Sequence, residues 1–163
     1  MDPLPPDVYT HRMFSDAALR EALRRYWGYD SFLPLQQRIV RSLLQGQDTC
    51  VVMPTGGGKS LCYQLPAALR PAQTAIVISP LIALMQDQAA QLAQMGIPAA
   101  VLNSSLAAER QAEVMQKTAE GAYRLLYLSP ERFARDETVS WFQSLPISFF
   151  AIDEAHCISE WVH

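Results

Sequence analysis

Apolar residues recur along this chain at two different periods, and the change of period divides it. Between residues 13 and 48 they fall at helical spacing. Leu19, Leu23, Tyr26 and Trp27 share one face of a segment that Ser15 caps and Gly28 ends. Ile39, Val40, Leu43 and Leu44 share a face of a second, with Pro34 in its first turn and Gly46 at its close. From Thr49 onward the pattern alternates. Short apolar runs at 49–53, 74–79, 99–102, 123–128 and 147–152 are separated by helix-period segments at 58–69, 80–95, 106–120 and 130–143. That order predicts an α/β fold, a parallel sheet with helices on both faces. Pro66 removes a backbone donor, so the helix holding it should kink or end early. Leu81, Leu84, Met85, Leu92 and Met95 form a stripe closed by Gly96, expected to face the core.

Residues 1–12 read as a disordered tail, because Met1-Asp2-Pro3-Leu4-Pro5-Pro6-Asp7 has neither the positive start nor the apolar stretch of a signal peptide. The 163 residues are half apolar, enough for one domain with a core, and no apolar run reaches membrane-spanning length. A formal charge of −3 excludes a broad basic surface, so any nucleic-acid contact must be local. Cys50, Cys62 and Cys157 are odd in number and lack metal spacing; buried, reduced thiols in a cytoplasmic protein are the expectation.

The chemistry concentrates in two places. Met53-Pro54-Thr55-Gly56-Gly57-Gly58-Lys59-Ser60 lies between an apolar run and a helical segment, the order of strand, phosphate-cradling loop and helix N-terminus. Thr55 and the glycines Gly56, Gly57 and Gly58 let backbone N–H groups curl toward phosphate oxygens, Lys59 is placed for the β- and γ-phosphates, and Ser60 for Mg²⁺. Asp153 ends the run Phe149-Phe150-Ala151-Ile152, where it would hold the same ion, with Glu154 next in line to polarise a water. An Asp-Glu pair after an apolar run is often only a solvated strand end; the order of the two halves, each after a strand, favours one Mg²⁺–nucleotide site. Ser79-Pro80 and Ser129-Pro130 each place a potential N-cap and a first-turn proline after a strand. With Asn103 and Ser104 they offer polar groups at the carboxyl edge of the sheet, fit either for a nucleic-acid backbone or merely for capping helices.

Several of these segments together resemble the RecQ DNA helicases. The resemblance is carried by Gly28-Tyr29 with Phe32, Pro34 and Gln36, by Met53 to Ala67, and by Ser79-Pro80-Leu81-Ile82-Ala83-Leu84-Met85-Gln86-Asp87-Gln88. Tyr127-Leu128-Ser129-Pro130-Glu131-Arg132 and Asp153-Glu154-Ala155-His156-Cys157-Ile158-Ser159 complete it. It implies a P-loop NTPase fold of RecA-like type, with a helical adenine-recognition segment at 13–48 and an incomplete ATP-binding domain at 49–163. It implies ATP and Mg²⁺ as cofactors, DNA as partner, 3′–5′ unwinding in repair and recombination, and a bacterial cytoplasm or nucleoid as location. Gln36 is then the adenine-reading residue, as its amide can donate to N7 and accept from the N6 amine. By the same resemblance Tyr29 lies against the base, His156 couples nucleotide state to neighbouring motifs, and Trp161 belongs to a DNA-sensing loop. Leu33 stands where these helicases usually carry an arginine, and Val162 where they carry glycine. A second RecA-like domain and the strand that follows the Asp-Glu-Ala-His segment are expected beyond residue 163. The rival readings are a non-catalytic nucleotide or single-strand-binding module and an RNA helicase of the DEAD/DEAH-box kind.

Overall fold

The structure, a computed structural model, describes residues 14–53 and 58–154. The chain forms two compact units, residues 1–69 and 70–163.

In the first unit, α1 (Asp16–Trp27) starts where Ser15 Oγ accepts the Ala18 N–H and stops at Gly28, whose φ of 74° lets its N–H reach the Arg24 carbonyl. Leu19 and Leu23 of α1 pack with Val40 and Leu44 of α2 (Gln36–Leu44) and with Leu61 and Leu65 of α3 (Leu61–Ala68). Each of these fully buried side chains contributes about 1.5–3 kcal/mol relative to exposure. Asp16 ties α1 to α2: it accepts from Gln37 Nε2 at 2.8 Å and pairs with Arg41, which also donates to the Phe14 carbonyl. The Gln37 bond and the Arg41 charge hold the Asp16 carboxyl below its usual range.

Two expectations fail here. Pro34 does not sit in the first turn of α2; the helix begins at Gln36, after a turn in which Leu35 takes the left-handed conformation, φ 71°. The run 49–53 forms no strand, and Val52 is 92% exposed. A strand exists only through its ladder, and the four strands described pair with one another alone. Thr49 is held instead by Ser42 Oγ at 2.7 Å and the Gln47 carbonyl at 3.0 Å. Pro66 lies in α3, which is only 8 residues long.

The second unit is a four-stranded parallel sheet of β1 (Thr74–Ile78), β2 (Ala99–Leu102), β3 (Leu125–Leu128) and β4 (Ile147–Ile152), in the order β2-β3-β1-β4. The two inner strands, β1 and β3, are buried at every position, as the continuous apolar runs Thr74-Ala-Ile-Val-Ile78 and Leu125-Leu-Tyr-Leu128 require. The outer β4 leaves Phe150 49% and Ile152 47% exposed. Ile76, Ile78, Leu102, Leu126 and Leu128 meet Val114 of α5 (Ala108–Ala119) and Phe142 of α7 (Asp136–Phe142) in one cluster.

The helix after β1 starts later than Ser79-Pro80 suggested. α4 spans Ile82–Gln94 with Leu81 as its N-cap, and Ser79 Oγ accepts the Leu81 N–H at 3.3 Å without capping the helix. Of the apolar stripe, Met85 and Leu92 are buried, whereas Leu81 and Leu84 are exposed. Segment 130–143 divides into α6 (Pro130–Phe133) and α7, because Arg135 between them is extended. Among the described residues no helix is long and apolar enough to cross a membrane.

Candidate functional site

In the first unit the candidate residues gather around one side-chain amide. Gln36, at the start of α2, is 3% exposed; its Oε1 accepts the Leu33 N–H at 2.8 Å and its Nε2 donates to the Gly58 carbonyl at 3.0 Å. These partners fix which end of the amide is which, since a flipped group would set donor against donor and oxygen against oxygen. Gly58 adopts φ 74°, and a Cβ there would overlap Gln36 Nε2 and lie 3.4 Å from Leu33 Cδ1. Glycine is therefore required at this point both by backbone conformation and by the approach of Gln36. Tyr29 and Leu33, 57% and 52% exposed, leave apolar surface on the segment leading to Gln36.

Lys59 and Ser60 follow in a turn that feeds directly into α3, both half-buried. The Lys59 carbonyl accepts the Cys62 N–H, and the Ser60 carbonyl those of Tyr63 and Gln64. Burial pushes the Cys62 thiol up to about 11. Thr55, Gly56 and Gly57 lie outside the described residues, as do His156 and Trp161.

In the second unit the candidate residues stand at the carboxyl end of the sheet. Ile78, Leu128, Leu102 and Ile152 are in register across the four strands, so the residues that follow them, Ser79, Ser129, Asn103 and Asp153, form a row along one edge. Asp153 is 7% exposed; its N–H continues the ladder to the Ile78 carbonyl at 2.9 Å, and its Oδ1 accepts the Glu154 N–H at 3.0 Å. Glu154 takes φ 59°, uncommon for a residue with a side chain.

The candidate nucleic-acid residues behave unequally. Ser129 caps α6 through the Arg132 N–H, with Pro130 at its first turn. Asn103 is 1% exposed, its Oδ1 accepts the Ser105 N–H at 2.9 Å, and its Nδ2 has no hydrogen-bond partner among the described residues. Ser104 is exposed and Pro80 half-buried. Sequence reasoning passed over Arg132, which is 6% exposed, directs Nη2 to Met115 Sδ at 3.3 Å and leaves Nε without a partner among the described residues. Arg132 belongs to α6, and its burial is a tertiary outcome.

Residues 33–163 match the family model of the DEAD/DEAH box helicases. The chain belongs to the DEAD/DEAH box helicase family. It is 50% identical over 144 residues to the ATP-dependent DNA helicase RecQ of Haemophilus influenzae, covering 86% of this chain and 23% of that protein. RecQ of Bacillus subtilis is 45% identical over 142 residues, covering 86% and 24%, and the ATP-dependent DNA helicase Q-like 5 of Arabidopsis thaliana 44% over 150, covering 91% and 16%. The chain thus spans about a quarter or less of these relatives. Among solved structures, the DUF1998 helicase MrfA superposes with a TM-score of 0.65 over 86% of this chain and 24% of its own, at 24% identity, which shows a shared fold.

No cluster of three or more His, Cys, Asp or Glu side chains forms a metal site among the described residues. A helicase-type Mg²⁺ needs no such cluster, being held largely by phosphate oxygens and water with one carboxylate and one hydroxyl from the protein. Ser60 carries a hydroxyl in the first unit and Asp153 a carboxylate in the second.

Proposed function

We propose that this chain is the ATP-binding part of a RecQ-type DNA helicase, in which hydrolysis of Mg-ATP drives strand separation in the full-length gene product. The observation that carries the reading is the Gln36–Gly58 bond, which joins a buried, orientation-fixed amide to the last glycine of the phosphate loop. Gln36 Oε1 and Nε2 each retain one hydrogen-bonding site, an adjacent acceptor and donor that match adenine N6 and N7. In guanine an acceptor, O6, replaces the N6 donor, so ATP is favoured over GTP. Tyr29 lies against the base.

In this reading Lys59 neutralises β- and γ-phosphate charge, Thr55, Gly56, Gly57 and Gly58 cradle the phosphates, and Ser60 and Asp153 hold Mg²⁺, which supplies electrophilic activation of the phosphate when bound. Glu154 orients and deprotonates the attacking water, and His156 relays nucleotide state. Ser79, Pro80, Asn103, Ser104, Ser129 and Trp161 face a DNA strand; contacts of polar side chains and backbone N–H groups suit an acidic protein better than a basic surface. The identities to proteins named DNA helicases support DNA as substrate. Unwinding needs a further RecA-like domain, and the work is done where the DNA lies, in the cytoplasm or nucleoid.

The test uses the full-length gene product. Lys59→Ala should lose Mg-ATP affinity, whereas Glu154→Gln should keep it and lose hydrolysis. Equal ATP affinity in wild type and Lys59→Ala would refute the phosphate-loop assignment, and normal turnover in Glu154→Gln would remove Glu154 as the base.

A further inference from the structure

We infer that Met115 is a site of oxidation by peroxide, and that the Arg132 guanidinium receives the oxygen of the sulfoxide formed there. The inference concerns the second unit alone and does not rest on the nucleotide reading.

Arg132 is 6% exposed, a depth at which a guanidinium is ordinarily paired, yet it forms no ion pair among the described residues. What faces it is sulfur. Its Nη2 donates to Met115 Sδ at 3.3 Å, while Nε has no hydrogen-bond partner among the described residues. In the guanidinium plane these two nitrogens donate from one edge, the fork that arginine offers to strong acceptors, and a thioether is a weak one. One donor thus meets a poor acceptor and its neighbour meets none. Because a buried donor left unmade costs more than an ordinary hydrogen bond returns, an acceptor delivered to this edge is favoured.

Met115 can deliver it. It lies on α5 at the margin of the cluster formed with Val114, Leu128 and Phe142, half-buried, whereas Met85 is only 1% exposed. A methionine is oxidised where peroxide reaches its sulfur. A sulfur lone pair attacks one peroxide oxygen, the S–O bond forms as the O–O bond breaks, and the departing hydroxide takes the remaining proton and leaves as water. Sulfur gives up two electrons and peroxide accepts them. The new oxygen is a polar acceptor on the very atom that Nη2 already touches, and the rotatable bonds of methionine let either epimer turn it toward Nη2 and Nε. A sulfoxide in a core usually disrupts packing. Here the sign reverses: oxidation joins α5 to α6 more firmly and stiffens the segment that Ser129 caps.

The test exposes the full-length gene product to dilute hydrogen peroxide. Peptide mapping gives the oxidised fraction at each methionine, and hydrogen exchange follows the amides of 131–135. Met115 should be converted and Met85 spared, and exchange across 131–135 should slow about fivefold, the effect of one added hydrogen bond on local opening. Met115→Leu, which cannot be oxidised at this position, and Arg132→Lys, which keeps the charge but lacks the fork, should both lose the slowing. Met115→Gln places a carbonyl oxygen at about the reach of the sulfoxide and should show slow exchange without peroxide; where Arg132→Lys does not fold, this variant decides. Faster exchange on oxidation would overturn the inference, as would slowing that persists in Arg132→Lys or Met115→Leu, or its absence in Met115→Gln. So would an unoxidised Met115 under conditions that convert Met95, which is also half-buried.

Discussion

Gly58→Ala tests the geometry around Gln36 and Gly58 most sharply, because two separate costs meet at one methyl group. The first is conformational: an alanine at φ 74° costs about 1–2 kcal/mol relative to glycine. The second is displacement. The new Cβ would overlap Gln36 Nε2, and the amide escapes only by giving up its bonds to the Gly58 carbonyl and the Leu33 N–H, about 1 kcal/mol each. Together the substitution should destabilise the domain by about 3–4 kcal/mol. The two costs are separable by a double-mutant cycle. In a Gln36→Ala background the methyl meets no amide, and Gly58→Ala should cost only the conformational part. Denaturant unfolding of the full-length gene product and its three variants gives the four free energies. A coupling between the two sites of about 2 kcal/mol is expected. If the cost of Gly58→Ala is the same in both backgrounds, the Gln36–Gly58 contact does not exist in solution, and the proposals built on it fall.

Three further outcomes follow from other parts of the molecule. Burial raises the Cys62 thiol to about 11 while Cys50 is exposed, so brief alkylation at pH 8 followed by peptide mapping should label Cys50 and spare Cys62; equal labelling would contradict the packing of α3. The Asp16 carboxyl is held low by Gln37 and Arg41, so its stabilising contribution is present above its unfolded value of about 3.9 and is lost as pH falls through the folded one. The stability gap between wild type and Asp16→Asn should accordingly be open at pH 6 and close in strong acid, and a gap independent of pH would show that the ion pair is not formed. Finally, a polypeptide of residues 1–163 carries β4 as an outer strand with Phe150 and Ile152 exposed, so it should self-associate with rising concentration, and Ile152→Lys should suppress this. A monodisperse monomer with a sharp cooperative melt would refute that reasoning.

How much of this was legible in the chain depends on the range of the forces involved. Ser15 and Gly28 bound α1 as read, because a cap is decided by residues within one turn of it. The inner strands were legible too: a strand buried on both faces is apolar at nearly every position, and that leaves a continuous run in the sequence. The motifs around Lys59 and Asp153 were equally plain as patterns, since a glycine-rich run before a helix and an Asp-Glu pair after an apolar run are recognised from residue type alone. Tertiary structure decided the rest. The run 49–53 had the composition of a strand but found no ladder among the strands described, and hydrogen-bond partners are not a property of the run itself. Ser79 looked like Ser129, yet of the two only Ser129 caps a helix, because the one after β1 begins at Ile82 with Leu81 as its N-cap. Gln36 was picked out by resemblance as a base reader; that its amide is closed onto Leu33 and Gly58 depends on a contact across 22 residues of chain, which no local pattern encodes. Local sequence fixed where elements begin and which chemistry they carry, while the pairing of distant backbone groups, each obliged to find a partner once out of water, determined which of those promises the fold could keep.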